Sequence, residues 1–205
     1  MTGAVAAALP WRVRGFSAAL RHRTPVDDAA TSPGADRAFV RALRERDPDA
    51  WRELFDGEMP GIYRYALSRL GDAGKAEDAA GDVFEQAYRN AESFQDRGLP
   101  PRAWLFGIAR NVVGSHRRSW FRRPPQFAIE AFDGGGEDPG LSPDRLDLAR
   151  ALAELEPAHG EVISLRFLHG LSLQETAEVI GASTDAVKGR QARALVALRA
   201  RMTER

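Results

Sequence analysis

Apolar positions recur at three- and four-residue spacing along most of the chain, and nowhere alternate as a strand would require. This predicts an all-α protein. The clearest stretch is GLSLQETAEVIGASTDAVKGRQARALVAL, from Gly170 to Leu198. Ser172 can N-cap a helix, and Glu175 three residues on completes a capping box. Leu173, Ala177 and Ile180 fall on one apolar face, and Gly181 stops the helix. Ser183 then caps a second helix with an apolar line of Val187, Ala194, Leu195 and Leu198. A short helix, a glycine turn and a longer basic helix form the pattern of a helix-turn-helix.

Upstream, a helix is expected over about Ala35 to Arg46, with Phe39, Val40 and Leu43 inward. Asp47-Pro48 opens a second, whose apolar residues run from Trp51 to Leu70. Pro60-Gly61 should kink or split it, and Gly71 should end it. A third covers about Lys75 to Ala91, carrying Ala76, Ala79, Ala80, Val83, Phe84 and Ala87. A Gly- and Pro-containing loop leads to a fourth, from Arg102 to about Trp120, with Trp104, Leu105, Ile108, Ala109 and Val112 on its apolar side. Further helices are expected from about Asp144 to Leu155 and from Pro157 to Leu168. No repeat of fixed period is present.

These elements divide into two small helical domains, residues 34–123 and 144–205. Residues 124–143 join them as a flexible linker with Gly134, Gly135 and Gly136, several prolines and only acidic charge. Residues 1–33 are rich in Ala, Arg, Pro and Thr without a sustained period. They read as a disordered extension with room for a short helix near Trp11 to Leu20.

Composition narrows the chemistry. The chain has 205 residues, of which 43% are hydrophobic and 28% charged. That suits a soluble globular protein. The absence of cysteine excludes disulfides and thiolate metal sites. His22, His116, His159 and His169 match no ligand spacing. No apolar run approaches membrane-spanning length, so no membrane insertion is expected. The apolar stretch at the N-terminus is short and precedes the arginines, which argues against export. A cytoplasmic protein is therefore expected.

The net charge is zero, but the charges are segregated. Asp72 to Glu85 holds five acids and one lysine; Arg102 to Arg123 holds six arginines and no acid. From Ser183 onward the bases are Lys188, Arg190, Arg193, Arg199, Arg201 and Arg205, against Asp185 and Glu204. One acidic and two basic surfaces imply at least two kinds of partner. In the last helix, Arg190 and Arg193 can hold phosphates while Ser183, Thr184, Asp185 and Lys188 face base edges. Between Glu92 and Arg123, aromatics and arginines alternate, which suits single-stranded nucleic acid. A plain amphipathic hairpin and solvated arginines are the bland counterparts.

Glu77, Asp78, Asp82 and Glu85 lie at helical spacing. A metal-dependent hydrolase would need ligands converging from other elements, and no Glu-x-x-His is present. A face that docks a basic partner fits better. No phosphate loop or nucleophile elbow is found, so neither catalysis, a metal nor a cofactor is expected.

Taken together, IYRYALSRLGDAGKAEDAAGDVFEQAY, PRAWLFGIARNVVGSHRR and ALAELEPAHGEVISLRFLHGLSLQETAEVIGASTDAVKGRQARAL resemble the bacterial RNA polymerase sigma factors of the extracytoplasmic-function group, over about Asp36 to Arg201. The resemblance implies a factor that binds core RNA polymerase and directs initiation by recognising and melting promoter DNA. It implies polymerase binding through Glu77, Asp78, Asp82, Phe84 and Glu85. It implies capture of a flipped base by the loop with Asn90, Phe94 and Arg97. Contacts to the duplex edge and melted strand fall to Arg102, Trp104, Arg110, Asn111, Arg117 and Arg118. The helix-turn-helix would read the minus-thirty-five element through Ser183, Thr184, Asp185, Lys188, Arg190 and Arg193. The acidic linker would thread the polymerase, and an anti-sigma factor is an expected partner. The chain departs from the family's usual residues at Gly81, Ala186, Gly189, Gln191 and Leu195.

Overall fold

The computed structural model describes residues 33–95, 98–120, 151–152 and 154–203. The expected extension, linker and most of the Asp144 to Leu155 helix lie outside them. The described residues form helices α1 (Pro33–Arg44), α2 (Pro48–Leu70), α3 (Ala73–Arg89), α4 (Pro101–Trp120), α5 (Pro157–Ile163), α6 (Leu173–Ile180) and α7 (Thr184–Thr203). A single 3-10 turn, Ala91–Ser93, follows α3, and a π-helical turn, Ser164–Leu168, continues α5.

Local chemistry explains the boundaries. The Asp47 carboxylate accepts from the N–H groups of Asp49 and Ala50 at 3.1 and 2.9 Å, and Pro48 opens α2. Gly71, at φ 67°, closes it in the left-handed conformation. Asp72 caps α3 by accepting from the Lys75 N–H at 2.9 Å. Of the kink or split expected at Pro60-Gly61, the split does not occur: α2 is one helix from Pro48 to Leu70. Packing overrides the lost backbone hydrogen bond. Ile62, Tyr65 and Ala66 beyond the proline are buried, and a Cβ on Gly61 would lie 3.6 Å from the Phe106 ring.

α2, α3 and α4 pack as a bundle around Trp51, Ile62, Tyr65, Phe84, Leu105 and Phe106, all nearly or wholly buried. The α3 face is built largely of Ala76, Ala79, Ala80 and Ala87, small side chains that let neighbouring helices approach closely. The Trp51 indole N–H donates to the Leu43 carbonyl at 2.8 Å, pinning α1 to this bundle. Gly81, exposed in mid-α3, has open space where a Cβ would sit. Gly81→Ala should therefore raise unfolding free energy by about 1 kcal/mol and the melting midpoint by about 2–4 °C. A lower midpoint would contradict that placement.

α5, α6 and α7 form the second half around two smaller apolar clusters. One holds Leu152, Leu155, Ile163 and Ala194; the other holds Val162, Ala177 and Val187. The second half does not keep its apolar residues to itself. Leu165, Leu171 and Val179 are buried in the core of the first bundle. α6 consequently buries more than the one face expected of it: Glu175, Thr176 and Val179 as well as Ala177. On α7, Val187 and Ala194 are fully buried, whereas Leu195 is 42% exposed. One residue past Ala194 is a rotation of roughly 100°, which carries Leu195 off the buried line.

Candidate nucleic-acid and protein interfaces

The helix-turn-helix is held by its caps. The Glu175 N–H donates to Ser172 Oγ at 3.1 Å, and the Ser172 N–H donates to the Glu175 carboxylate at 2.6 Å. Gly181 turns the chain at φ 65°, and the Ala182 N–H closes onto the Ala177 carbonyl at 2.9 Å. Ser183 Oγ then accepts from the Ala186 N–H at 3.2 Å, so its first job is to cap α7. With Val187 anchored inward, Ser183, Asp185, Lys188 and Arg193 are exposed and Thr184 and Arg190 half-buried. Lys188 lies 3.5 Å from Asp185, a solvent-exposed pair that a phosphate can outcompete. Gln191 accepts from Arg166 Nε at 3.1 Å, and Arg166 also donates to the Leu171 carbonyl. This unusual glutamine thus braces α7 against the π turn.

The residues expected on the melting surface are only partly brought together. Arg110 and Asn111 are exposed on α4, with Arg117 half-buried one to two turns on. Trp104 is half-buried and stacks on Phe94, ring centroids 4.8 Å apart. Phe94 is 5% exposed, so it supports Trp104 and does not stand free for a base. Asn90 donates its side-chain amide to the Gln86 carbonyl at 2.8 Å, capping α3. Arg97 and the side chain of Arg118 lie outside the described residues. Arg102 faces the second half: its Nε lies 3.1 Å from the Glu175 carboxylate and its Nη2 donates to the His169 carbonyl at 2.9 Å.

On α3, Glu77, Asp78 and Asp82 are exposed, because the alanine stripe turns the opposite face inward. Asp82 lies 2.9 Å from His116 on α4, and Glu85 pairs with Arg89 one turn on. Phe84, expected on the polymerase-binding face, is instead fully buried and edge-on to Phe55 at 4.8 Å. Its offset from Val83 and Ala87 puts it on the core side. Among the described residues, no three acids or histidines gather as a metal site, and no helix is long and apolar enough to cross a membrane.

One cluster was not anticipated. Glu161 on α5 accepts from the Tyr65 O–H at 2.7 Å and pairs with Arg69, both on α2. Burial, then the nearby Glu161 charge, pushes the Tyr65 phenol well above its usual range. His169 lies edge-on to Tyr65 at 5.5 Å and against Phe106 at 5.3 Å. Burial and the charges of Arg64, Arg69 and Arg102 lower its pKa to about 3, so the ring is neutral. No local pattern signals these pairs, since their members lie up to 96 residues apart.

The sigma-70 region 2 model matches residues 54–122, and the sigma-70 region 4 model matches residues 151–200. The chain is 35% identical over 184 residues to the ECF RNA polymerase sigma factor BldN of Streptomyces coelicolor, covering 85% of this chain and 67% of that protein. It is also 35% identical over 161 residues to the ECF RNA polymerase sigma factor SigL of Mycobacterium tuberculosis, covering 75% and 89%. Two solved structures are similar. CnrH in complex with the cytosolic domain of CnrY aligns with TM-score 0.62 and 27% identity over 83% of this chain and 98% of that one. The sigma factor RpoE in complex with the anti-sigma factor NepR from Bartonella quintana aligns with TM-score 0.58 and 25% identity over 74% and 96%.

Proposed function

This chain belongs to the ECF RNA polymerase sigma factors of the sigma-70 family, and from that membership we propose which surfaces do which part of the work. As a sigma factor it acts with core RNA polymerase, directs initiation at promoters and leaves bond formation to the polymerase. Residues 34–123 bind core and melt the minus-ten element, residues 124–143 are the linker, and residues 144–205 read the minus-thirty-five element. The protein works in the cytoplasm, where the polymerase is. The observation carrying this reading is that one bundle presents two kinds of charge on adjacent helices. Acidic residues Glu77, Asp78 and Asp82 stand on α3, while the cations Arg110 and Arg117 stand on α4 with the neutral Asn111 beside them. The first suits a basic protein surface and the second suits DNA phosphates.

In the second half, the start of α7 offers half-buried Thr184 and exposed Asp185 and Lys188 to base edges in the major groove, with Arg190 and Arg193 at the backbone. Arg190→Ala should weaken minus-thirty-five binding and lower the salt slope of log affinity by about 1, as for one lost phosphate contact. An unchanged slope, measured by titration at several salt concentrations, would remove Arg190 from that role. RpoE was solved with an anti-sigma factor, and a protein of that kind is proposed as the inhibitor of this chain. The deciding experiment is reconstitution with core polymerase on genomic DNA, followed by sequencing of transcript starts. Starts preceded by a common pair of elements are expected. Failure to bind core or direct any initiation would overturn the reading.

A further inference from the structure

Among the described residues, positive φ occurs at Gly71, Gly98, Gly170 and Gly181, and at one residue that carries a side chain, Arg46, at φ 59°. Arg46 stands just past the end of α1. Its N–H donates to the Leu43 carbonyl at 3.1 Å, and the Asp47 N–H donates to the Ala42 carbonyl at 2.9 Å. The same pair of bonds closes α6, where the turning residue is Gly181. A glycine makes this turn without a Cβ clash and an arginine does not. Strain of this kind persists where the surroundings over-determine the residue.

The Arg46 side chain is held at three points. Its Nε and Nη2 donate to the carbonyls of Tyr88 and Arg89, each at 3.3 Å, and its Nη1 donates to the Glu92 carboxylate at 2.7 Å. The guanidinium also lies 5.8 Å from the centre of the Tyr88 ring. The two carbonyls belong to the last turn of α3, where the usual helical donors are missing and a cation is favoured. Glu92 belongs to the 3-10 turn that follows. One planar fork therefore spans the end of α3 and the turn that leaves it. Its base is firm: the Leu43 carbonyl also accepts from Trp51, whose ring lies edge-on to Tyr88 at 5.1 Å.

What is held is the exit of the chain from α3. Beyond the 3-10 turn, Phe94 packs on Trp104 in the first turn of α4. Arg46 fixes the near end of this segment and the aromatic pair fixes the far end. We propose that Arg46 is a positioning residue for promoter melting: through Tyr88, Arg89 and Glu92 it aims the segment from Asn90 to Phe94 at an unpaired base of the non-template strand. It also sets a cation against Glu92, offsetting a charge that would repel a polyanion. The proposal rests on the reading of this segment and α4 as the promoter-melting surface.

Arg46→Gly and Arg46→Lys separate a helix stop from a positioning residue. For a helix stop alone, glycine would serve at least as well as arginine, since it relieves the left-handed cost. For a positioning residue, arginine should serve best, lysine next as a point charge without the fork, and glycine worst. Holoenzyme would be bound to fork-junction oligonucleotides of a promoter it initiates from, each non-template base of the minus-ten element being replaced in turn by an abasic site. In the parent, at least one position should lose about tenfold in affinity when its base is removed. With Arg46→Gly that loss should shrink to about twofold, with Arg46→Lys between, while the abasic oligonucleotide binds all three proteins alike. Arg44→Ala, which removes an exposed arginine of α1, should keep the full loss. Core affinity should match the parent in every variant, and the melting midpoint of Arg46→Gly should stay within about 2 °C of it.

A full loss retained in Arg46→Gly overturns the part given to Arg46. A midpoint several degrees lower, with weaker binding to every oligonucleotide alike, marks a structural residue and overturns it too. A parent that loses nothing at any position instead sinks the reading of the segment as a base-capturing one, and the proposal with it.

Discussion

Phe84→Ala is expected to lower unfolding free energy by about 3–5 kcal/mol in denaturant titrations. The ring is fully buried, meets Phe55 edge-on at 4.8 Å and sits where α2 and α3 meet. Its neighbours on α3 are chiefly alanines, too short to move into the space left behind. The cavity should therefore persist, which places the loss above the transfer free energy alone. Phe84→Leu keeps most of the volume and should lose far less. Weaker polymerase binding by Phe84→Ala is expected only as a consequence of the loosened bundle. Were stability unchanged and polymerase affinity alone reduced, the side chain would belong to the interface and not to the core.

The second large effect falls on the opposite face of the same helix. Asp78→Lys together with Asp82→Lys should weaken association with core polymerase by about a hundredfold or more, because attraction becomes like-charge repulsion worth several kcal/mol. Both carboxylates are exposed, and the Asp82 contact to His116 is a surface pair 2.9 Å long. Breaking it should hardly change the melting curve. The deficit should shrink at high salt, where surface charges are screened. Core binding measured at two ionic strengths checks both points. An affinity equal to that of the parent would remove the acidic face from the polymerase contact.

These two positions mark where sequence reading reached and where it stopped. The outward run of Glu77, Asp78 and Asp82 is legible because helical periodicity alone places it opposite the alanine stripe. The helix-turn-helix is equally legible, since Ser172, Glu175, Gly181 and Ser183 act through bonds to residues three or four away. Phe84 and Phe94 were harder. An aromatic side chain next to a polar stretch can face a partner or a core, and only the packing of Phe55 and Trp104 decides it. Pro60 does not split α2 for a related reason: its local cost is real, but buried contacts on both sides outweigh it.

The amino-acid sequence by itself determined the helices, their caps, the acidic and basic faces and the family. All of these rest on periodicity, short-range hydrogen bonds and the order of charged stretches. Only the tertiary structure decided that Glu161 meets Tyr65 and Arg69, that Arg102 is held by Glu175, and that His169 is sealed between two rings. Those partners lie 92 and 96 residues apart for Glu161, and a pairing at that separation leaves no period or spacing in the chain. It exists only once two amphipathic halves have each buried a face and must choose how to cover what remains.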